Sequence, residues 1–269
     1  MNNQSPLDAN PIAYLTNEDL HSFGFSRLSE LLSVIPIRHL ITVRRWEKFL
    51  QSGSPLQVYG KKAEGVFEGT VDHNIQGIKN SVPALASLTR SELVLRPVMC
   101  LDQIFSYQSQ SVFPDLTCLL IGSRTEYEVL SALSYGIQPA NLKAIDLISY
   151  SPWITPGDMH ELPYPDNSFD MIILGWVLGY SNTPKKVAAE IIRVARPGAV
   201  VSIGNDCYTM EHIKASQFGD VDVPQTIPAL LNCFGSSVDK VYFSHEPNYH
   251  RKDIPGFIGH IITTFDIKK

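Results

Sequence analysis

Between residues 116 and 203, short unbroken apolar runs alternate with amphipathic helical periods, and this alternation confines the chain to one class of fold. Thr117-Cys118-Leu119-Leu120-Ile121 is apolar at nearly every position, as a strand buried on both faces of a sheet must be. Gly122 follows. Thr125 and Glu128 then form a T-x-x-E capping box that starts a helix, and Gly136 supplies its stop. Lys143 to Ile148 reads as a second strand carrying Asp146, and Phe169 to Val177 as a further clear strand. Asn182 or Thr183 can cap the next helix, with Pro184 at its first position. Its apolar residues Val187, Ala188, Ile191, Val194 and Ala195 share one face, as a helix packed on a sheet requires. Arg196-Pro197-Gly198 closes it, and Ala199 to Ile203 is another apolar strand. A helix over Pro224 to Phe234 precedes strands near Lys240–Phe243 and Ile258–Phe265, which leave no room for a helix between them. The pattern predicts an α/β fold: a doubly wound, mostly parallel sheet with a C-terminal antiparallel strand pair at one edge.

The text before residue 112 is irregular. Thr16-Asn17-Glu18-Asp19 has the form of a helix start. Leu28, Leu31, Leu32 and Ile35 recur at helical spacing until Pro36, and a second helix is expected over Val43 to Leu50, before the turn Ser52-Gly53-Ser54-Pro55. Residues 53–80, rich in glycine and polar side chains, read as loop with short strands. Thr89-Arg90-Ser91-Glu92 opens a helix expected to run to Gln108. Residues 1–111 are thus expected to form a mainly helical, partly irregular cap, and residues 112–269 the α/β domain.

Composition excludes several functions. Hydrophobic residues make up 44% of the 269 and charged residues 18%, enough to bury a core. With 22 basic against 27 acidic residues the net charge is -5, and there is no long basic run; a nucleic-acid partner is not expected. No apolar stretch approaches the ~20 residues that span a bilayer. Met1-Asn2-Asn3-Gln4-Ser5 lacks the basic and apolar regions of a secretory leader. Cys100, Cys118, Cys207 and Cys233 form no C-x-x-C pair and read as buried thiols of a reducing compartment. The expectation is a cytoplasmic protein with no membrane partner.

In a doubly wound sheet, ligands bind outside the carboxyl ends of the strands, where the strand order reverses. Gly122 lacks a Cβ and lets a ligand approach the backbone, and the helix after it offers free N–H groups. Asp146 follows Gly122 by 24 residues, and a carboxylate there can accept both hydroxyls of a ribose. The plain alternative is a turn glycine and a loop-capping acid.

The most specific run is Gly157-Asp158-Met159-His160-Glu161-Leu162-Pro163-Tyr164-Pro165-Asp166-Asn167-Ser168-Phe169-Asp170, continuing to Leu178. It resembles the "GDxxxLPFxDxSFD" run of the class I S-adenosylmethionine-dependent methyltransferases, especially the branch acting on small molecules. Glu190-Ile191-Ile192-Arg193-Val194-Ala195-Arg196-Pro197-Gly198 is similar to that family's "EixRvLrPGG". The likeness covers residues 116–205 and extends to the final strand pair, but not to the N-terminal region. It implies a Rossmann-like sheet, S-adenosylmethionine as cofactor, and methyl transfer to an oxygen or nitrogen of a small-molecule substrate. Carried over, Asp146 would bind the ribose hydroxyls with Leu147 beside the adenine. Asp158 would accept from the adenine amino group with Met159 against the ring. Leu174, Gly175 and Trp176 would line the methionine and sulfonium region. His160 either borders this pocket or is a hydrogen-bonded loop histidine, and Asp170, before its strand, is structural.

One departure stands out. The family's first turn is glycine-rich, whereas here it reads Ile121-Gly122-Ser123-Arg124-Thr125-Glu126-Tyr127-Glu128, with one glycine. In one account Gly122 and Ser123 still approach the cofactor, Arg124 pairs its carboxylate, and Glu126 or Thr125 lies near its ammonium. In the other, side chains fill the cleft and the domain is a non-catalytic binding or scaffolding protein. The segment Ser149 to Pro156 replaces the usual helix, and its Trp153 either covers the adenine edge or packs on the sheet. Trp176, Tyr180, Trp46 and Tyr208 can form an acceptor pocket under the N-terminal helices. Asn205-Asp206, Tyr180, His245 and His250 are candidate proton acceptors, with Trp176, Tyr180 and Asp206 the residues assigned to substrate. Met171 to Tyr180 contains no carboxylate, so no catalytic metal is expected. A nicotinamide-dependent oxidoreductase would need G-x-G-x-x-G after the first strand, which is absent.

Overall fold

The computed structural model describes residues 28–60, 65–85, 92–105, 113, 115–208, 223–247 and 258–269. The expected helix start at Thr16, the capping residues Thr89 to Ser91, His250 and the Tyr208 side chain lie outside them.

Helix α1 covers Leu28–Ser33 and α2 Ile35–Ser52. Pro36 separates them as expected but also opens α2, in whose first turn its missing N–H costs nothing. The loop expected over residues 53–80 is corrected. Among the described residues, strand β1, Gln57–Val58, precedes a third helix, α3, over Thr70–Leu85. Val71, Ile75, Ile78, Val82 and Leu85 recur at alternating steps of four and three, and polar residues and Gly77 between them conceal the period. Ile78, Val82 and Leu85 are fully buried against Trp46, Phe49 and Tyr150. Burial of this kind is worth about 1.5–3 kcal/mol per large aliphatic side chain and overrides weak local propensity. Helix α4 is Glu92–Phe105.

The α/β part follows the sequence closely. Strand β2 is Cys118–Ile121, α5 Glu126–Ser134, β3 Leu142–Asp146, β4 Ile148–Ser149 and β5 Ile154–Pro156. Then come β6 at Phe169–Gly175, α6 at Pro184–Val194, β7 at Ala195–Tyr208, α7 at Ile227–Phe234, β8 at Val238–His245 and β9 at Ile258–Ile267. The described residues build a seven-stranded sheet in the order β5-β3-β2-β6-β7-β9-β8. Its first five strands run parallel, and β9 pairs antiparallel with both β7 and β8. Strand order reverses between β2 and β6, which sets Gly122 beside the end of β6. Strand β5, which the sequence reading does not identify, is three residues long; it stands where the usual helix is missing.

Each face of the sheet is covered. Val187, Ile191 and Val194 of α6 and Leu230 and Phe234 of α7 pack on Leu119, Ile172, Leu174 and Val201. On the other face, Val129 and Leu133 of α5 join Leu32, Cys100, Leu101 and Ile104 from α1 and α4 over Leu120, Met171 and Ile173. One core therefore runs across residue 112. Trp153 packs against this core, on the sheet. Asp170 accepts from the N–H and hydroxyl of Thr117 at 2.9 and 2.7 Å and pairs with Arg196 at 2.7 Å, a structural link at the start of β6. Among the described residues no helix is long and apolar enough to cross a membrane.

Candidate functional site

A cleft opens at the carboxyl ends of β2 and β3, at the reversal of strand order. It encloses about 380 Å³, its open mouth included. Its floor is Ile121, Gly122, Ile145, Asp146 and Leu147, its far wall Gly157, Asp158 and Met159, and its roof Val66, Thr70, Asn74, Val177 and Tyr180. The sheet supplies the floor because the parallel strands end together. The roof comes from the start of α3 and the turn after β6.

Gly122 has φ +81°, and a Cβ there would lie 1.9 Å from Val177 Cγ1. Only glycine fits both the left-handed backbone and the space. The Gly122 N–H donates to Ile145 O at 2.7 Å, closing the turn onto β3. Asp146 ends β3 with its carboxylate in the cleft. Its Oδ1 accepts the Ile148 N–H at 3.2 Å and lies 3.5 Å from Asn74 Nδ2. Burial raises its pKa to about 6, although Arg124, backbone N–H groups and Asn74 pull the other way. A buried carboxylate with few donors is ready to accept more, and adjacent hydroxyls of a ribose supply two. Asp158 differs. Burial disfavours its charge, but His160 outweighs that, donating its backbone N–H at 2.9 Å and sharing a ring contact of 2.6 Å, and holds the carboxyl below the ordinary range.

Five of the residues expected at the cofactor, Gly122, Asp146, Leu147, Asp158 and Met159, line one cleft. Tyr180, expected at the substrate, lies in its roof, with its hydroxyl 3.0 Å from His73 Nε2. The remainder are placed elsewhere. Ser123 is buried in the turn, its N–H 3.3 Å from Ile145 O. Arg124 reaches over to α3, where Nη2 donates to Asn74 Oδ1 at 3.0 Å. Glu126 turns away from the cleft into a buried ion pair with Arg45 of α2; Nη2 donates to Oε1 at 2.7 Å and Nε to Oε2. His160 sits behind Asp158 and does not line the cleft: it is the hydrogen-bonded loop histidine. Leu174 alternates into the core on the α6 face, and Gly175 pairs with Gly204. Trp176 is swung off the crest by a left-handed backbone, φ 59°, a strained state for an aromatic residue. Its ring lies over Gly204, so Val177 takes the crest position expected for Leu174 to Trp176. Trp46 is also displaced from the acceptor pocket, packing in the core with Phe49 and Tyr150.

The swing of Trp176 builds a second polar group. Its Nε1 donates to Asp206 Oδ1 at 2.7 Å, and the same oxygen lies 2.8 Å from His260 Nδ1. An ionised carboxylate only accepts, so the proton of this contact belongs to His260 Nδ1. Sequence reading finds Asp206 but misses His260, because only the β7–β9 register, which pairs Asp206 with His260, joins them. It misses Thr70 and Asn74 because the period of α3 is concealed, and Val66 because only its bridge to Ser181 sets it over the cleft.

Residues 131–203 match a family model described as a methyltransferase domain. A demethylmenaquinone methyltransferase of Renibacterium salmoninarum is 48% identical over 42 residues, which is 16% of this chain and 18% of that relative. The matched stretch is thus under a fifth of the relative's length. Among solved structures, the N-methyltransferase NodS of Bradyrhizobium japonicum, crystallised with S-adenosyl-L-homocysteine, superposes with a TM-score of 0.50 at 12% identity, over 75% of this chain and all of that one. A Thermotoga maritima protein described as a SAM-dependent methyltransferase, possibly a histamine N-methyltransferase, gives 0.48 at 13% identity over 73% of this chain and 99% of its own. Residues 131–203 are thus similar to a methyltransferase domain, and the fold is similar to that of NodS.

Proposed function

We propose that the protein transfers a methyl group from S-adenosylmethionine to an oxygen or nitrogen of a small molecule. One observation carries this reading: Asp146 and Asp158, twelve residues apart in the sequence, line the same cleft at the reversal of strand order. When bound, the cofactor supplies a sulfonium methyl already activated for in-line displacement. Asp146 accepts the ribose hydroxyls, Asp158 accepts from the adenine amino group, and Leu147 and Met159 pack on the ring. Arg124 is assigned to the cofactor's carboxylate, for which its planar fork is suited; Glu126, held by Arg45, is not assigned to the ammonium. Val66, Val177 and Tyr180 exclude water from the cleft, and alignment then supplies much of the rate. An acceptor that begins protonated loses its proton to His260 Nε2, while Asp206 holds the ring and Trp176 fixes the carboxylate.

Calorimetric titration of the full chain with S-adenosylhomocysteine tests the reading. Micromolar binding that Asp146→Ala abolishes is expected. An absence of binding at millimolar ligand leaves the scaffolding alternative and overturns the enzyme.

A further inference from the structure

Asp158 is the end of a buried polar chain that the cofactor reading leaves unexplained. His160 is 2% exposed and Ser181 fully buried. His160 Nδ1 lies 2.6 Å from Asp158 Oδ1, His160 Nε2 lies 2.7 Å from Ser181 Oγ, and the Thr183 N–H donates to Ser181 Oγ at 3.0 Å. With a neutral His160 ring, donor and acceptor rules leave one arrangement. The Asp158 carboxylate only accepts, so Nδ1 carries the ring proton. Nε2 then accepts, and the Ser181 hydroxyl is its donor. The Ser181 oxygen in turn accepts from Thr183, the residue that caps α6. The ring and hydroxyl links then run in one direction, from the N–H of the N-cap residue Thr183 to the oxygen Oδ1 of Asp158.

The chain is also clamped from the N-terminal region. Val66, in the cleft roof, bridges Ser181, and the Asn182 N–H donates to Gly65 O at 2.9 Å. The Gly65 backbone lies against the His160 ring so closely that a Cβ would meet it at 2.5 Å. A serine, a histidine and an aspartate in this order call to mind a nucleophile relay, but the serine hydroxyl is buried and spent as a donor, so no substrate carbonyl can reach it. What the chain fixes is the other end. With Oδ1 taken by two His160 donors, Asp158 keeps its charge and one orientation towards the cleft it lines.

We infer that His160 and Ser181 are positioning residues that make Asp158 an obligate acceptor, and so set the cleft's choice of a 6-amino purine over a 6-oxo purine. This rests on the methyltransferase reading of the cleft. An amino group donates to Asp158, whereas a 6-oxo group faces it with a second acceptor, and a buried acceptor pair without a proton is costly. The residue that acts on the base is Asp158; His160 acts through it.

The test compares the affinities of S-adenosylhomocysteine and its 6-oxo analogue, S-inosylhomocysteine, for the full chain. Wild type should favour the amino form by at least about tenfold, the least that a hydrogen bond to a charged group contributes. His160→Asn places an amide nitrogen where Nδ1 stood and should keep most of that ratio. His160→Gln reaches towards Ser181, lacks the Nδ1 donor, keeps only the backbone N–H and should lower the ratio severalfold below that of His160→Asn. A histidine that only fills space predicts equal ratios in the two variants, and that result, or a wild type that binds both ligands alike, overturns the inference while leaving the methyltransferase reading intact. Binding of neither ligand by wild type removes that reading and the inference with it. Should His160→Gln fail to fold, Ser181→Ala serves in its place, since losing the Nε2 donor frees the ring to adopt the other tautomer, and its ratio should fall below that of His160→Asn.

Discussion

The two ends of the sheet crest are built from different parts of the chain. At the end proposed for adenosine, Asp146, Leu147, Asp158 and Met159 lie within one short stretch and meet in one cleft. At the glycine-poor turn, Arg124 and Glu126 are engaged by partners from far upstream, Asn74 on α3 and Arg45 on α2. The first end is set by strand geometry, since parallel strands of fixed register deliver their terminal residues to one edge. The second is set by tertiary pairing, with Arg124 and Glu126 held by partners outside a turn that carries one glycine. Neither side chain lines the cleft; each has its partner beside it.

The sharpest way to break this comparison is at Glu126. If its role is to neutralise Arg45, Glu126→Gln should cost about 3–5 kcal/mol of stability, the usual penalty for removing one member of a buried ion pair. Replacing both residues together, as Arg45→Met with Glu126→Leu, should recover most of it, because apolar pairs of similar volume commonly do as well. Urea unfolding of the single and double variants measures this. A single variant of native stability with weakened S-adenosylhomocysteine binding instead moves Glu126 into the cofactor site, and the two ends then work alike.

The same contrast explains what the sequence made legible. Strands β2, β3, β6, β7 and the closing pair are readable because burial on both faces forces continuous apolar text. Asp146 and Asp158 are readable because their positions relative to those strands are fixed. Helix α3 is hidden by Gly77 and its polar neighbours, and with it Asn74 and the cleft roof. Trp176 is misplaced because its left-handed backbone, which no residue pattern announces, swings it onto Gly204. His260 is invisible without the register of β7 on β9. Contacts made by secondary structure can be read; contacts made between segments distant in sequence cannot.

A second measurement sharpens the adenosine end. Asp146 must be ionised to accept ribose hydroxyls, and burial places its pKa at about 6. Affinity for S-adenosylhomocysteine should therefore be flat above pH 7 and weaken below pH 6, by about tenfold per pH unit once the free carboxyl is mainly protonated. Asp146→Asn should lose about tenfold to a hundredfold at pH 8, the range for a hydrogen bond to a charged group, and should show no such dependence. Calorimetry across pH 5 to 8 separates the two. An affinity for wild type that does not change over this range would remove Asp146 from the ribose.

An effect on stability alone lies at the start of α5. Glu128 accepts the Thr125 N–H at 3.1 Å and the Thr125 hydroxyl, a cap legible in the sequence. Burial raises its pKa from the ordinary 4.5 to about 7, against the pull of those donors and of Arg124. Between these values the folded chain holds a proton that the unfolded chain has released, so this group's contribution to stability falls as pH rises through that window. Glu128→Gln keeps an acceptor for Thr125 without a charge to bury. It should match wild type near pH 4.5 and exceed it at pH 8 by up to about 3 kcal/mol, or about 6–12 °C in Tm for a chain of this size. Thermal melts at the two pH values read the difference. A variant less stable than wild type by the same amount at both would mean that Glu128 is ionised throughout and that its charge serves the helix N-terminus, making this end of the crest electrostatically like Asp158 and unlike Asp146.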